Sequence, residues 1–228
     1  MAELTGPDAE HLVRVLRAEA GQIYEISDNE RVYLAEIETA RKSLVTFKVL
    51  EELPSPAPVA QVALYPALFK FDRFEWMVEK ATELGVTSIH PFEAVRSERG
   101  LAQAAQKRRA RWERIALEAS QQSRRIRLPA VHETLDFEDV LTNEPNADLC
   151  LLLDEENSAP PIRSSLPRDI SSADRICLLI GPEGGWIDEE REKAAAAGWR
   201  GCSLGSFVLR AETAAMAALS VVNAFWGR

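Results

Sequence analysis

Two stretches decide the fold of this chain: LLIGPEGGW at 178–186 and LGSFVLRAETAA at 204–215. Each predicts a short apolar strand, a turn at which the backbone can approach a ligand, and then a helix. Glycine tolerates the dihedral angles of a sharp turn, and the acidic run at 188–190 favours a helix start because it faces the positive end of the helix dipole. Two such turns can form one pocket.

The charges of the first turn narrow the ligand of that pocket. Glycine-rich turns ahead of helices often bind phosphate. Here Glu183 lies inside the turn, further acids follow, and the next basic residue is Arg191, so phosphate would be repelled. An adenosine-type ligand with positive charge near its reactive atom fits better. S-adenosylmethionine, which carries a sulfonium, is the common example.

The paired motifs resemble the knotted C-terminal motifs of the SPOUT superfamily of RNA methyltransferases, and within it the ribosomal RNA small subunit methyltransferase E (RsmE) family. The blocks HLVRVLR at 11–17, FEWMVEKATELGVTSIHPF at 74–92 and QQSRRIRLP at 121–129 extend the resemblance over nearly the whole chain.

The resemblance implies a fold of two domains and a reaction. The fold is a small PUA-like antiparallel β-barrel that binds RNA at 1–55, followed by an α/β SPOUT methyltransferase domain at 59–228. That second domain is expected to have a mostly parallel sheet and a trefoil knot at about 176–228. The implied cofactor is S-adenosylmethionine, and the implied acceptor is N3 of a specific uridine in small-subunit (16S) ribosomal RNA. The expected partner is that RNA in the 30S subunit, and the sequence leaves open whether free RNA or the assembled subunit is recognised.

The composition, 46% hydrophobic and 28% charged over 228 residues, is typical of a globular protein. The N-terminal residues have neither a basic start nor an apolar run, so we expect a cytoplasmic location and no membrane. The surroundings of the cysteines predict buried thiols at Cys150, Cys177 and Cys202. No metal is predicted, because no metal-ligand spacing is present and the histidines are not expected to cluster: His11, His90 and His132.

The N-terminal region predicts a helix and a meander. A helix at 8–17 would carry Leu12, Val13 and Leu16 on one side. Strands are predicted at 22–27, 32–39 and 44–50, where alternation of apolar and polar residues indicates one buried face. Arg14 and Arg17 are candidate RNA contacts, with simple solvent exposure as the alternative.

A proline-rich stretch at 53–58 predicts the domain boundary. Beyond it, strands at 59–65, 87–90 and 148–153 alternate with helices that begin near 72, 103 and 137, which predicts a parallel sheet covered on both faces. Asp72 is the predicted cap of the first of these helices. Two polar loops are predicted, one at 157–172 and one at 96–99, where Arg96 could touch substrate.

A basic segment changes how the net charge of -9 is interpreted. Eight cations lie between Lys107 and Arg127, against only Glu113 and Glu118. Because these arginines outnumber the carboxylates available for pairing along the helix, RNA contact is favoured over a solvated face. The candidate contacts are Arg108, Gln122, Ser123 and Arg125. The family usually has an acidic residue where this chain has Gln121, so no catalytic role is assigned there.

The last helix, at about 212–226, is apolar nearly all round, which indicates burial in the core and in a homodimer interface. The predicted cofactor contacts precede this helix or lie in its first turn: Leu153, Ile180, Gly181, Pro182, Glu183, Gly184, Gly185, Leu204, Gly205, Leu209, Arg210, Thr213 and Ala214. Thr213 caps the helix, binds the cofactor or does both. The family often has a basic residue where this chain has Phe207 and a threonine at Ala211.

Two residues are predicted to be catalytic. A uridine ring nitrogen must lose its proton before it can accept a methyl group. Arg210 can stabilise the anion, and Glu212 is the available base. Burial beside an apolar pocket would make Glu212 a stronger base and pairing with Arg210 a weaker one, and the sequence leaves both open. It also leaves open an Arg210–Glu212 pair that merely holds the loop.

Other functions stay open on the sequence alone. A noncatalytic RNA-binding or ribosome-assembly factor would use the glycine turns only for folding and would show no cofactor affinity. A nucleotide-dependent enzyme would use GPEGG as an anion site and would prefer ATP to S-adenosylmethionine. Methylation of another RNA position shares most features with the main hypothesis.

Overall fold

The structure is a computed structural model that describes residues 1–55, 60–142, 147–156 and 159–226. The chain divides into two compact units, Met1–Pro56 and Ala57–Arg228, and each has its own hydrophobic core. Several predicted features lie partly outside the described residues. They are the boundary stretch at 53–58, the strand start at 59, the loop start at 157 and the end of the second domain at 227–228.

The first unit is an antiparallel sheet with one helix. Its elements are β1 (Ala2–Thr5), α1 (Gly6–Arg14), β2 (Ile23–Ser27), β3 (Val32–Arg41) and β4 (Leu44–Leu53), with the strand order β1-β4-β3-β2. In β4, Val45 and Phe47 are buried while Lys48 is exposed. The predicted antiparallel meander with one buried face is therefore confirmed. The sequence missed β1, which pairs with β4, because a strand this short has little pattern.

Helix α1 is shorter than the predicted 8–17. It begins at Gly6, with Pro7 in its first turn, and ends at Arg14. Arg17 has a left-handed φ of 53°, which a continuing right-handed helix excludes. Leu16 is consequently 56% exposed, so the prediction that it packs beside Leu12 is wrong.

The second unit is built on a parallel sheet. Its strands are β5 (Gln61–Pro66), β6 (Ser88–Ile89), β7 (Phe92–Glu93), β8 (Ala130–Val131), β9 (Leu135–Asp136), β10 (Leu149–Leu153), β11 (Arg175–Ile180) and β12 (Arg200–Cys202). Six of them form one sheet in the order β12-β10-β11-β5-β6-β8, with every pair parallel, and β7 pairs with β9. The continuous apolar runs of β10 and β11 suit central strands that are buried on both faces.

Helices cover both faces of this sheet. They are α2 (Phe71–Glu83), α3 (Leu101–Gln122), α4 (Phe137–Thr142), α5 (Ile162–Ser165), α6 (Asp188–Ala196) and α7 (Ala211–Trp226). Leu178 belongs to a core shared with α2, α3 and α7, whereas its neighbour Leu179 belongs to a second core shared with α4 and α6. The predicted parallel sheet between two helical layers is confirmed.

Three local predictions in this unit are wrong. Helix α2 is not capped by Asp72, because its cap position is Lys70, which makes no side-chain capping bond, and Asp72 lies in the first turn. The predicted loop at 157–172 contains the short helix α5. The strand before the second turn is β12, whose sequence is RGC, and Leu204 already lies in the turn rather than in an apolar strand.

Helix α7 is covered on one side by its own chain. Its buried residues include Ala215, Leu219 and Val222, while Phe225 near its end is 41% exposed. The indole Nε1 of Trp226 donates to the carbonyl of Pro167 at 2.9 Å. Burial within the chain thus accounts for part of the apolar character, and the homodimer and the knot stay predictions.

Over the described ranges, no helix has both the length and the apolar character that a membrane crossing requires.

Candidate active site

A pocket of about 310 Å³ lies at one edge of the parallel sheet. Strands β10, β11 and β12 are close neighbours there, and their carboxyl ends carry Leu153, Ile180 and the second turn. Parallel strands bring their carboxyl ends to the same edge of a sheet, where α/β proteins bind ligands. The two turns quoted at the outset are therefore joined in one site.

Most of the predicted cofactor contacts line this pocket, namely Leu153, Ile180, Gly181, Pro182, Glu183, Gly185, Leu204, Gly205, Leu209, Arg210 and Ala214. Gly184 and Thr213 do not line it. Thr213 does not cap the last helix either, because α7 begins at Ala211 and Thr213 already lies inside it. The sequence did not select several other lining residues: Arg73, Asp154, Glu155, Ser203, Phe207, Val208 and Ala211. Arg73 belongs to α2, so no local motif near the glycine turns could have revealed it.

Packing inside the first turn explains two of its glycines. The indole of Trp186 is 2% exposed and donates to the carbonyl of Leu153 at 2.8 Å. A Cβ at Gly181 would stand 2.9 Å from that indole. Gly185 has a left-handed φ of +72°, and a Cβ there would stand 2.6 Å from a carboxylate oxygen of Glu155. Packing against Trp186 thus requires glycine at position 181, and the left-handed backbone favours glycine at position 185, whatever the ligand.

The first turn is less acidic in three dimensions than in the sequence. The guanidinium of Arg96 donates to the carbonyl oxygens of Gly184 at 2.9 Å and Trp186 at 3.4 Å. Arg73 donates to Glu183. The inference that this turn lacks nearby cations is therefore wrong, because both arginines reach it from distant parts of the chain. The contacts of Arg96 hold the turn, and its predicted contact with RNA stays a prediction.

The acids at the end of β10 are also paired. Nε of Arg191 lies 3.1 Å from Asp154, and Nη2 of the same side chain lies 3.1 Å from Glu155. Arg191 stands in α6, whose first turn holds the buried Glu190. Glu190 accepts hydrogen bonds from the backbone N–H groups of Val95 at 2.9 Å and Ile187 at 3.1 Å. These contacts fix the rim of the pocket to the start of α6.

The two predicted catalytic residues occupy different environments. Arg210 is exposed and lines the pocket. Glu212 is 5% exposed and is not among the lining residues. Its Oε1 lies 3.9 Å from Nε of Arg73, and its Oε2 has no hydrogen-bond partner among the described residues. Glu212 therefore pairs with Arg73, and the Arg210–Glu212 pair considered from the sequence does not form within those residues.

The basic helix α3 is more fully paired than its sequence indicated. Arg108 and Arg111 both lie 2.8 Å from Glu75, which belongs to α2. Arg109 pairs with Glu113 on the same helix and with Glu133. The argument that too few carboxylates were available is wrong, because it counted only those within the segment. Within the described part of the chain, no ion pair involves Lys107, Arg124 or Arg127.

The end of α3 has structural contacts. The guanidinium of Arg125 donates to the carbonyl oxygens of Thr82 at 2.6 Å and Val86 at 2.8 Å, and burial lowers its pKa. The hydroxyl of Ser123 donates to the carbonyl of Ala119 at 2.7 Å, and Gln122 is exposed. Arg125 thus joins the end of α3 to the end of α2. Its predicted RNA contact has no support from these bonds.

The candidate RNA contacts of the first unit are both exposed. Arg14 lies 3.8 Å from Glu10 on the same helix, an ion pair open to solvent. Arg17 follows α1 in a left-handed conformation. Both side chains are therefore accessible. This is compatible with an RNA contact and equally with simple solvent exposure.

The histidines do cluster in part, contrary to the sequence prediction. The rings of His90 and His132 stack with centroids 4.0 Å apart, and His90 stacks on Tyr65 at 4.4 Å. Burial, with smaller contributions from His132 and Arg175, lowers the pKa of His90 to about 3. Among the described residues, no group of three or more histidine, cysteine or acidic side chains could hold a metal ion.

Two family models match the chain. The one described as an RNA methyltransferase PUA domain matches residues 4–50, and the one described as an RNA methyltransferase domain matches residues 55–223. The fold and the pocket are thus those of the class of RNA methyltransferases with an N-terminal PUA domain.

Similar proteins make the assignment narrower. The ribosomal RNA small subunit methyltransferase E of Bacillus subtilis is 34% identical over 96% of this chain and 88% of its own length. That of Synechocystis is 34% identical over 97% of this chain and 72% of its own length. The chain belongs to the ribosomal RNA small subunit methyltransferase E family, so the resemblance noted from the motifs is confirmed.

Solved structures agree with this family. The Neisseria gonorrhoeae ribosomal RNA small subunit methyltransferase E, bound to S-adenosyl methionine, superposes with a TM-score of 0.87 at 28% identity, over 99% of this chain and 92% of that one. A Legionella pneumophila methyltransferase with bound SAM gives 0.85 at 29% identity, over 98% and 91%. The predicted fold class, a PUA-like antiparallel domain followed by an α/β domain of SPOUT type, is confirmed. The first unit is a four-stranded sheet in the order β1-β4-β3-β2, where the resemblance implied a small β-barrel.

Proposed function

We propose that this chain transfers the methyl group of S-adenosylmethionine to N3 of a uridine in small-subunit ribosomal RNA. The observation that carries the proposal is the pocket between the two turns, which combines apolar walls, glycine backbone and acidic side chains. The relatives named for small-subunit ribosomal RNA and the neighbour solved with S-adenosyl methionine support the same reaction.

The residues present fit this cofactor. The pocket has a volume of about 310 Å³, which lies in the range of sites that bind small molecules. Apolar side chains can cover an adenine ring: Leu153, Ile180, Leu204 and Leu209. The pocket also carries the carboxylates of Asp154, Glu155 and Glu183, which can accept hydrogen bonds from ribose hydroxyls while arginines hold them in place. When bound, S-adenosylmethionine supplies an activated methyl group on a sulfonium sulfur.

The catalytic role belongs to Arg210 in this proposal. The N3 atom of uridine must lose its proton, in this proposal to solvent, to accept a methyl group, and the resulting anion needs stabilisation. The transfer would leave S-adenosylhomocysteine as the second product. Arg210 is the exposed cation of the second turn, and it directly precedes α7, whose N-terminal end adds positive potential. Glu212 is buried and paired with Arg73, so its contacts give no support to the base role considered from the sequence.

RNA contact is assigned to both units. Residues 1–55 form the proposed RNA-binding domain, with Arg14 and Arg17 exposed, and residues 59–228 form the proposed methyltransferase domain. In the basic segment 107–127, which covers the second half of α3 and the residues after it, the cations without a carboxylate partner within the described residues support contact with phosphate: Lys107, Arg124 and Arg127. We also propose that the protein is cytoplasmic, that it acts on RNA in the 30S subunit and that it forms a homodimer. Exposed apolar side chains near the pocket and on α7 support the homodimer: Phe207, Val208 and Phe225.

The test is mass spectrometry of ribosomal RNA from cells that lack this gene. We expect one uridine methylation to disappear from the small-subunit RNA and to return with a plasmid copy of the gene. An unchanged uridine methylation profile would overturn the assignment. Calorimetry with S-adenosylmethionine and with ATP separates the alternatives, because an assembly factor binds neither and a nucleotide-dependent enzyme prefers ATP.

A further inference from the structure

One side chain of α2 contacts both segments that form the pocket. Arg73 lines the pocket, and its guanidinium donates to the carboxylate of Glu183 in the first turn. Nε of the same group lies 3.9 Å from Oε1 of Glu212, in the first turn of α7. The pocket segments lie far from α2 in the sequence, so this contact is purely tertiary.

The partner in α7 is a buried carboxylate. The side chain of Glu212 is 7% exposed, whereas that of Arg73 is 31% exposed. Removing a carboxylate from water is unfavourable unless a cation or hydrogen bonds compensate. Since Oε2 of Glu212 has no hydrogen-bond partner among the described residues, that compensation comes largely from Arg73. Arg73 is thus the cation that faces this buried carboxylate within the described residues.

The positions of the two carboxylates give this contact a functional meaning. Glu183 stands between Pro182 and Gly184 in the first turn, and Glu212 stands two residues after Arg210. Moving either carboxylate would move a wall of the pocket. We propose that Arg73 is a positioning residue for methyl transfer, because by pairing with Glu183 and Glu212 it holds the first turn and the start of α7 so that Arg210 faces the pocket. This inference rests on the proposed function.

The test uses the full-length protein, S-adenosylmethionine and small-subunit ribosomal RNA from cells that lack the gene. The variants are Arg73→Ala, Arg73→Lys and the double variant Arg73→Ala with Glu212→Gln. Lys80→Ala is the matched control, because Lys80 also lies on α2 and pairs with two carboxylates, Glu79 and Glu83, but both belong to its own helix. Single-turnover rate, cofactor affinity and thermal midpoint are measured for each.

We expect Arg73→Ala to lower the single-turnover rate about 100-fold at saturating cofactor and RNA, the order expected of a misplaced catalytic group. We expect cofactor affinity to fall less than tenfold, and Arg73→Lys to recover part of the rate. The double variant should regain thermal stability, since no uncompensated charge stays buried, but should remain slow. Lys80→Ala should match the wild type.

The outcomes distinguish this inference from the proposed function. If the wild type neither binds S-adenosylmethionine nor methylates the RNA, the proposed function fails. If the wild type is active and Arg73→Ala is within threefold of its rate, Arg73 does not position the site. If the double variant recovers the wild-type rate, Arg73 only compensates a buried charge. A loss of cofactor affinity as large as the loss of rate would make Arg73 a cofactor contact instead. Should Arg73→Ala fail to fold, the double variant and Arg73→Lys give the same decision.

Discussion

Replacing Arg210 by alanine tests the catalytic proposal most directly. The side chain of Arg210 is exposed and lines the pocket, and within the described residues it makes no ion pair and no side-chain hydrogen bond. The backbone bond that starts α7, from the N–H of Ala214 to the carbonyl of Arg210 at 2.8 Å, survives the substitution. The change therefore removes a charge at the pocket and little else.

Two magnitudes follow from this environment. The free energy of unfolding should change by no more than about 0.5 kcal/mol, as for a surface substitution without buried contacts. The rate of methyl transfer should fall by about 10²- to 10³-fold, or roughly 3–4 kcal/mol, if the guanidinium stabilises the anion that forms at N3. Cofactor affinity should remain near normal, since the apolar walls and both glycine turns are unchanged.

The assay measures unfolding in urea, calorimetric affinity for S-adenosylmethionine and single-turnover methylation of small-subunit RNA. Arg168→Ala is the control, because Arg168 is also an exposed arginine of the second unit but does not line the pocket. A variant that lost cofactor affinity along with activity would make Arg210 a binding residue. A variant with wild-type activity would refute the electrostatic role altogether.

Three further predictions concern packing and protonation. Gly181→Ala should lower the free energy of unfolding by about 1–3 kcal/mol, because its Cβ would stand 2.9 Å from the buried indole of Trp186; urea unfolding measures this, and Gly201→Ala, with nothing within 4 Å, should be tolerated. Because the folded state lowers the pKa of His90 to about 3, from 6.5, the unfolded chain binds the extra proton between those values, so stability should fall as pH drops below 6.5. Urea unfolding at pH 7 and pH 5 measures this loss of stability, and the loss should be smaller in the variant His90→Phe. An equal loss in the variant and the wild type would show that His90 is not its cause. Burial, aided by Asp154, raises the pKa of the Cys202 thiol to about 12, so a disulfide reagent at pH 8 should label the partly buried Cys150 first. Loss of the fast labelling phase in Cys150→Ser would support this order, and its persistence would refute it.

Local patterns predicted most of the architecture. The strands β10 and β11, the helix α2 and the alternation of β4 each depend on neighbours along the chain, and each of these elements is confirmed. The glycine turns also identified most of the pocket lining, because they lie at the ends of neighbouring parallel strands.

Interactions between distant segments limited the rest. Arg73 and Arg96 reach the first turn from α2 and from the loop after β7, so the sequence near the turn overstated its negative charge. Glu75 similarly pairs with two arginines of α3 that seemed unpaired along their own helix. The stack of His90 on His132 joins the ends of β6 and β8, which are adjacent only in the folded sheet. Contacts between side chains of different helices and strands follow no regular spacing along the chain, so the sequence pattern could not reveal them.

The ion pairs of the basic segment 107–127 also affect how strongly salt would weaken its binding to a polynucleotide. Counterion release follows the number of phosphates neutralised, so eight available cations would give a logarithmic salt slope of roughly -6 to -7. Arg108, Arg109, Arg111 and Arg114 already face carboxylates, and Arg125 faces backbone carbonyls. If Lys107, Arg124 and Arg127 alone exchange counterions for phosphate, the contribution of the segment 107–127 should have a slope of about -2 to -3. The binding of RNA by this segment would then depend less on ionic strength than its number of arginines indicates.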